Sequence, residues 1–308
     1  MHCSITSNSP SFDKQAGLTL IELMIGLVIG LLLAIIASST YLYSKQAYNA
    51  VAETSQLEEN GRFALALLSR NIQTAGYVAI DPSDTSAQGA SDLKVNGCDF
   101  GMTNPQAATS LTDLACLGST PAGTSRSASI GVFYNTDAFG TASTSFQGFD
   151  CLGNAPVTVA SATTGTSTYQ VRNYFYVSTS SVQTPNGTTT MGQLSCVTDP
   201  TTVPGATGTF QAQPLIPGVH QIGLNYLTAS AVDKNAAQTR NTAAVIAASA
   251  LWPKVIAVEL CVLTKSIQAS GNDTATQSTD CFGNTFTPPP SQSFRRFTTL
   301  VNMRNRTS

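Results

Sequence analysis

The chain has 308 residues, with 15 Lys and Arg against 17 Asp and Glu and a formal net charge of -2. That length allows one large or two small globular units with a real core. So small a charge leaves no basic field to hold nucleic acid or anionic lipid, and any such binding must be local. From about Asp81 onward Ser, Thr, Ala, Asn and Gly are abundant while Lys and Glu are sparse, a balance closer to exported surface proteins than to cytosolic enzymes.

From Leu23 to Ser44 there are 22 residues without a charge. At about 1.5 Å rise per residue a helix of this length crosses a hydrocarbon core of roughly 30 Å. A cleaved secretory signal is the simpler alternative, with "AIIASS" as its cleavage site, but such signals carry apolar runs of only about 7–15 residues. Here the run is longer, and the helical pattern continues without a break through "YLYSKQAYNAVAETSQLEENGRFALALLSRNIQTAG".

Glu22 stands at the edge of this run. A carboxylate within a membrane helix costs about 2.5–3.5 kcal/mol unless it finds a partner, and no Lys or Arg lies between Leu18 and Ser44. A cut between Gly17 and Leu18 would create the missing cation, an α-ammonium at Leu18, with Glu22 as the fifth residue of the product. That amine could meet Glu22 of its own helix or of a neighbouring subunit, and the second arrangement would set the register between packed helices.

"KQAGLTLIELMIGL", beginning at Lys14, resembles the class III signal of type IV prepilins and pseudopilins: a leader, Gly before the cut, a Thr-Leu-Ile-Glu run and an unbroken apolar helix. The resemblance implies cleavage after Gly17 by a membrane-embedded prepilin peptidase, N-methylation of Leu18 by the same enzyme, and use of Glu22 in assembly. Two departures suit a minor pilin better than a major one. Leu18 stands where major pilins usually present phenylalanine, and the 17-residue leader holds only one Lys and one Asp.

From Leu57 to Ala75, Leu57, Gly61, Ala64, Leu65, Leu68, Ile72 and Ala75 recur at steps of three and four, so the helix leaves the membrane and packs one face on something. Glu58, Glu59, Arg62, Ser69, Arg70 and Gln73 lie off the stripe and are expected to be solvated. Gly76 is a credible stop, giving a helix of about 55 residues. "LEENGRFALALLSRNIQTAGY", Leu57 to Tyr77, is similar to the signature that follows the membrane segment in the PilW family of minor pilins. "FRRFTTLVNMRNR", from Phe294, is similar to that family's closing strand. The resemblance covers roughly residues 14–77 and 250–306; residues 78–249 are read from composition and periodicity alone.

The chain's middle is expected to be β-rich. "ASIGVFYN" at Ala128, "TYQVRNYFYVST" at Thr168, "GVHQIGLNYLT" at Gly218, "KVIAVELCVLTK" at Lys254 and "RRFTTLVNM" at Arg295 have the β-branched and aromatic enrichment of strands. In the second of these, Val171, Asn173, Phe175 and Val177 face one way and Arg172, Tyr174 and Tyr176 the other. "ASATTGTSTY" and "TPNGTTTMG" read as loops or hairpin tips, with Asn186-Gly187 a turn, and "TPPPSQS" as a stiff connector. Trp252, before Pro253, is expected in the core at a strand start. No internal repeat of 20–50 residues is visible.

Seven cysteines are present. Cys3 would leave with the leader, and Cys98, Cys116, Cys151, Cys196, Cys261 and Cys281 form an even set, as in a chain folded under oxidising conditions. Free buried thiols are the alternative. Pairing in sequence, 98 with 116, 151 with 196 and 261 with 281, closes the shorter loops. The cysteines form no C-x-x-C pair, and with only His2 and His220 beside them neither a metal site nor a cofactor is expected.

Catalytic groups do not converge either. A Ser-His-Asp or Cys-His site would have to use His220, whose alternating setting suits a satisfied or surface histidine. No phosphate-binding glycine loop, zinc helix or calcium loop appears, and Asp81, Asp84, Asp92 and Asp99 are too irregularly spaced for calcium and are expected to be solvated. The triplets Asn186-Gly187-Thr188 and Asn272-Asp273-Thr274 match the glycosylation pattern by chance as readily as by design.

These readings give an α+β, type IV pilin-like fold: residues 1–17 a cleaved leader, 18–44 the transmembrane and assembly half of a long helix, 45–76 its amphipathic half, and 77–308 an antiparallel, disulfide-containing head. The resemblance implies a minor pilin, not an enzyme, that helps initiate type IV pili serving adhesion, twitching motility or DNA uptake. It would sit in the bacterial inner membrane with its head in the periplasm before assembly, and in the pilus at the cell surface after. Its partners would be prepilin peptidase, major and other minor pilins, and a pilus tip protein in a tip or priming complex, without nucleic acid. A minor pseudopilin of type II secretion shares the spine and head, and a tethered periplasmic binding protein or adhesin is the rival of another class.

Overall fold

The computed structural model describes residues 19–77, 94–103, 105, 114–122, 125–135, 149–154, 157–160, 167–184, 187–198, 211–229, 237–266, 277–289 and 292–305. The chain divides into two compact units, Met1–Asn49 and Ala50–Ser308. One helix, α1 (Leu20–Thr74), contributes to both. In the first unit its leucines, isoleucines and valines from Leu20 to Ile36 are all more than half exposed. Water would not tolerate so long an apolar surface, so it is built for lipid or for other chains.

In the second unit α1 buries the stripe expected of it. Leu57, Gly61, Ala64, Leu68 and Ile72 are buried, as is Ala75 just beyond, and Leu65 packs half-buried beside them. Two antiparallel sheets supply the partner surface. The first comprises β1 (Val95–Cys98), β2 (Ser129–Asn135), β4 (Ser167–Thr184), β5 (Gly187–Thr198) and β6 (Gln211–Pro217) in that spatial order, with β3 (Val157–Ala160) pairing β4. The second runs β12 (Phe294–Asn302), β9 (Val255–Lys265), β7 (Val219–Ala229), β8 (Ala237–Asn241). A small hairpin of β10 (Ser278–Thr279) and β11 (Thr285–Phe286) completes the strands.

Leu68 and Ile72 of the helix, Phe175 and Leu194 of the first sheet, and Ile222, Leu260 and Val262 of the second share one core with Ile246 of a short helix, α2 (Ala243–Ala248). Strand alternation explains what faces it: Val171, Asn173 and Phe175 are buried on the core side, where the Asn173 amide donates to Asn71 Oδ1 of α1 at 3.0 Å. Tyr174 and Tyr176 point to the other face, and that face is covered too. Phe133, Tyr174, Tyr176 and Val197 form a second cluster with Cys98, Met102 and Leu114.

Several expectations change. "TPNGTTTMG" is not all loop: Gly187 onward is β5, because its threonines suit extended backbone and pair residue for residue with Thr179–Thr184 of β4. Thr184 opposes Gly187, so the chain reverses where the turn was expected, although residues 185–186 lie outside the described residues. In "ASATTGTSTY", Ala160 belongs to β3 and Ser167 to Tyr169 to β4. Trp252 lies in a 3-10 turn (Trp252–Lys254) ahead of β9, half-buried and edge-on to Tyr226 at 5.0 Å.

Two acids expected in solvent are engaged instead. The Asp99 carboxylate accepts the backbone N–H groups of Ala243 and Ala244, both at 3.0 Å. It thereby caps α2, whose own N-cap Thr242 makes no side-chain bond. Glu58 binds Arg295 of β12 at 2.6 Å and Arg62 one helical turn on at 3.6 Å. Asp81, Asp84 and Asp92 lie outside the described residues, as do Asn186 and Asn272 of the glycosylation triplets.

Candidate functional site

The site with a chemical task is the start of α1. Glu22 lies in the helix's first turn, exposed, with its backbone N–H on Thr19 O at 3.1 Å. Around it Leu20, Ile21, Leu23, Met24 and Ile25 present only apolar surface. No other acidic or basic residue occurs in α1 before Lys45, so the carboxylate has no counter-charge on this stretch of the helix. Gly17 and Leu18, the expected cut and methylation positions, lie outside the described residues.

At the other end, α1 is held to the head by bonds that explain otherwise arbitrary residues. Gly76 adopts φ +70, the left-handed cap conformation that favours glycine. Its N–H donates to Phe133 O at 2.8 Å, and Asn135 N–H returns a bond to Tyr77 O at 2.8 Å. Asn305, from the closing "RNR", brings its amide to the last helical carbonyls, Thr74 O and Ala75 O, at 3.4 Å each. Gly61 lies beneath the Phe297 ring of β12, which occupies the space a Cβ would need. The Gly-Arg-Phe-Ala and Ala-Gly-Tyr features of the helix are therefore the places where the last strand and β2 dock on it.

The six head cysteines form three bridges: Cys98–Cys116, Cys151–Cys196 and Cys261–Cys281, with Cα separations of 5.2, 6.5 and 5.6 Å. His220 is half-buried. Its Nε2 is 2.9 Å from Ser125 Oγ, and its ring meets Phe294 edge-on at 5.2 Å. Burial, helped by the charge of Lys265, lowers its pKa to about 4, so it is neutral at pH 7. It lines a cleft of about 460 Å³ with Tyr176, Ser178, Thr190 and Lys265. Neither an Asp nor a Glu lines that cleft among the described residues, so His220 and Ser125 lack the acid that orients the histidine of a catalytic triad.

Comparison with known families matches two stretches. Residues 12–38 match the model of the prokaryotic N-terminal methylation motif, and residues 174–305 match that of type IV pilus-assembly protein W, PilW. The two matches support a PilW-type minor pilin. The PilW match enters at Tyr174, within β4, and so takes in the rest of β4, β5 and β6 of the first sheet and all of the second, starting well before residue 250. Comparison with curated proteins finds no match. A type IV-like pilin from Thermus thermophilus is similar at a TM-score of 0.35 and 12% identity, over 81% of this chain and 96% of that one; so low a score carries no argument here.

The methylation motif and the apolar start of α1 support a membrane-anchored pilin that is later assembled into the pilus, among other pilins and the pilus machinery. Pilin families are structural rather than enzymatic.

Proposed function

We propose that this chain is a non-catalytic minor pilin that helps initiate type IV pilus assembly, in a tip or priming complex with other minor pilins, the major pilin and a pilus tip protein. Processing comes first: prepilin peptidase cuts after Gly17 and methylates Leu18, leaving 18–44 as the membrane and assembly half of the helix, 45–76 as its amphipathic half and 77–308 as the head. The observation that carries the proposal is the lone Glu22 within the exposed apolar start of α1, which matches the N-terminal methylation motif.

The physical driving force follows from that helix. In the bilayer its apolar surface is solvated by lipid, and on assembly it exchanges lipid for neighbouring spines at little net cost, because both environments are apolar. The Glu22 carboxylate supplies direction. An ion pair to the Leu18 amine of a neighbour is strong only where the two helices are in one axial register, so wrong registers leave a charge unpaired in an apolar setting. Initiation is tested by deleting the gene for this chain in its host and imaging surface pili. Loss of pili, with export through other secretion machinery intact, is the expected result; normal pilus number rules out an initiating role.

A further inference from the structure

The sequences Asp150-Cys151-Leu152-Gly153-Asn154 and Asp280-Cys281-Phe282-Gly283-Asn284 repeat one pattern, D-C-x-G-N, and they fold alike bond for bond. In the first, Asp150 Oδ1 accepts the N–H groups of Leu152 and Asn154, each at 2.8 Å, and Oδ2 accepts Asn154 Nδ2 at 2.9 Å. In the second, Asp280 Oδ1 accepts Phe282 N–H at 2.9 Å and Asn284 N–H at 2.7 Å, and Oδ2 accepts Asn284 Nδ2 at 3.0 Å. Each Asp N–H donates to its Asn carbonyl, at 3.0 and 2.9 Å, and Gly153 and Gly283 adopt φ of +85 and +89.

The surroundings repeat as well. The Cys151 N–H donates to Asn173 Oδ1 on β4 at 2.9 Å, and the Cys281 N–H to Gln221 Oε1 on β7 at 2.8 Å. Two residues beyond each of those amides, Phe175 opposes Cys196 on β5 and Gly223 opposes Cys261 on β9. Those opposed cysteines are the ones each loop bonds to. Chain order is reversed between the copies, for the first loop precedes its two strands and the second follows them. A simple tandem duplication does not give that. The third bridge differs: at Cys98 the acid follows the cysteine, as Asp99, and caps α2.

We infer that Asp150 and Asp280 are positioning residues for disulfide formation, each folding its loop into a clip that presents one cysteine to one strand cysteine. A short loop closed by side-chain acceptance of its own N–H groups is formed locally, before the bridge needs to exist. The strand amide then fixes the loop's place over the sheet. Oxidation joins Cys281 Sγ to Cys261 Sγ, while two electrons and two protons pass to an exchanging disulfide oxidant of the compartment, which leaves as a dithiol. Each carboxylate accepts three hydrogen bonds, all from within its own loop. Burial alone would raise the Asp280 carboxyl, but the Asn284 amide and the backbone N–H groups outweigh it and hold the carboxyl below its usual range, as bonding to the charged form requires.

The test is reoxidation of the reduced full chain in detergent with a glutathione redox pair, followed by peptide mapping without reduction. Asp280→Ala, which removes three acceptances, is expected to slow formation of the Cys261–Cys281 bridge at least about fivefold, the effect of losing roughly one net hydrogen bond, and to leave Cys98–Cys116 and Cys151–Cys196 at the parent rate. Asp150→Ala should do the converse, and Asp280→Asn, which keeps an oxygen for both backbone donors, should restore most of the rate. Equal slowing of all three bridges, or of none, overturns the inference. Should Asp280→Ala fail to fold, hydrogen exchange on the Cys261→Ser, Cys281→Ser double variant decides. Protected amides at Phe282 and Asn284 show a clip that precedes its bridge, and unprotected ones show a loop made by the bridge.

Discussion

Gly76→Ala isolates the cap that ends α1 against β2. Gly76 sits at φ +70, where a Cβ costs about 1–2 kcal/mol. That Cβ would also stand 2.6 Å from Lys94 Cγ and 2.9 Å from Lys94 Cδ. Lys94 is 1% exposed and has nowhere to swing, so overpacking adds about 1–3 kcal/mol. Alanine recovers roughly 0.4–1 kcal/mol by stiffening the unfolded chain. The balance is a loss of about 1–4.5 kcal/mol. Taking about 2.5 as its centre, the melting temperature of a head this size drops by about 5–10 °C. The assay is thermal unfolding of the full chain in detergent, followed by near-ultraviolet circular dichroism with the disulfides intact. Pairing the change with Lys94→Ala should recover the packing part and leave the backbone part. A Gly76→Ala protein within 1 °C of the parent refutes the reasoning, since both contributions would then be absent.

Three further outcomes follow. His220 has a folded pKa of about 4 against 6.5 unfolded, so the unfolded chain takes up its proton first as pH falls; stability is complete above about pH 6.5 and declines toward pH 4. His220→Gln should flatten that decline in a series of melting temperatures against pH, and an unchanged slope counts against it. The Arg295–Glu58 pair joins β12 to α1 at 2.6 Å, but the two side chains are 51% and 33% exposed; Arg295→Ala should therefore cost at most about 1 kcal/mol, and less in high salt. Glu22→Ala should leave cleavage of the leader intact and abolish incorporation, so that sheared pili from the variant strain contain none of the chain by immunoblot.

The long helix was legible because two periodicities run through it without a break. An uncharged stretch is followed by a stripe from Leu57 to Ala75, and both survive any choice of tertiary partner. Five strands could be read from their aromatic and β-branched residues. β5 could not, because its Thr189, Thr190 and Met191 resemble a loop until β4 is placed beside them. Asp99 and Glu58 looked like solvated acids because their partners, the start of α2 and Arg295, lie 144 and 237 positions away in the chain. The paired D-C-x-G-N loops were legible in principle. They form no tandem repeat: one five-residue pattern occurs at Asp150 and again at Asp280, with different strands between. The cleavage and methylation positions rest on the motif itself.

The central claim is that Glu22 exists for an amine that processing creates. Its most direct test is the intact mass of the membrane-extracted chain, expressed with and without prepilin peptidase. With the peptidase, the mass should fall by the sum of Met1 to Gly17 and rise by one methyl group; without it, the mass should be that of the uncut chain. A mass unchanged by the peptidase, or one reporting a cut after the apolar run at Ser39, would contradict the account.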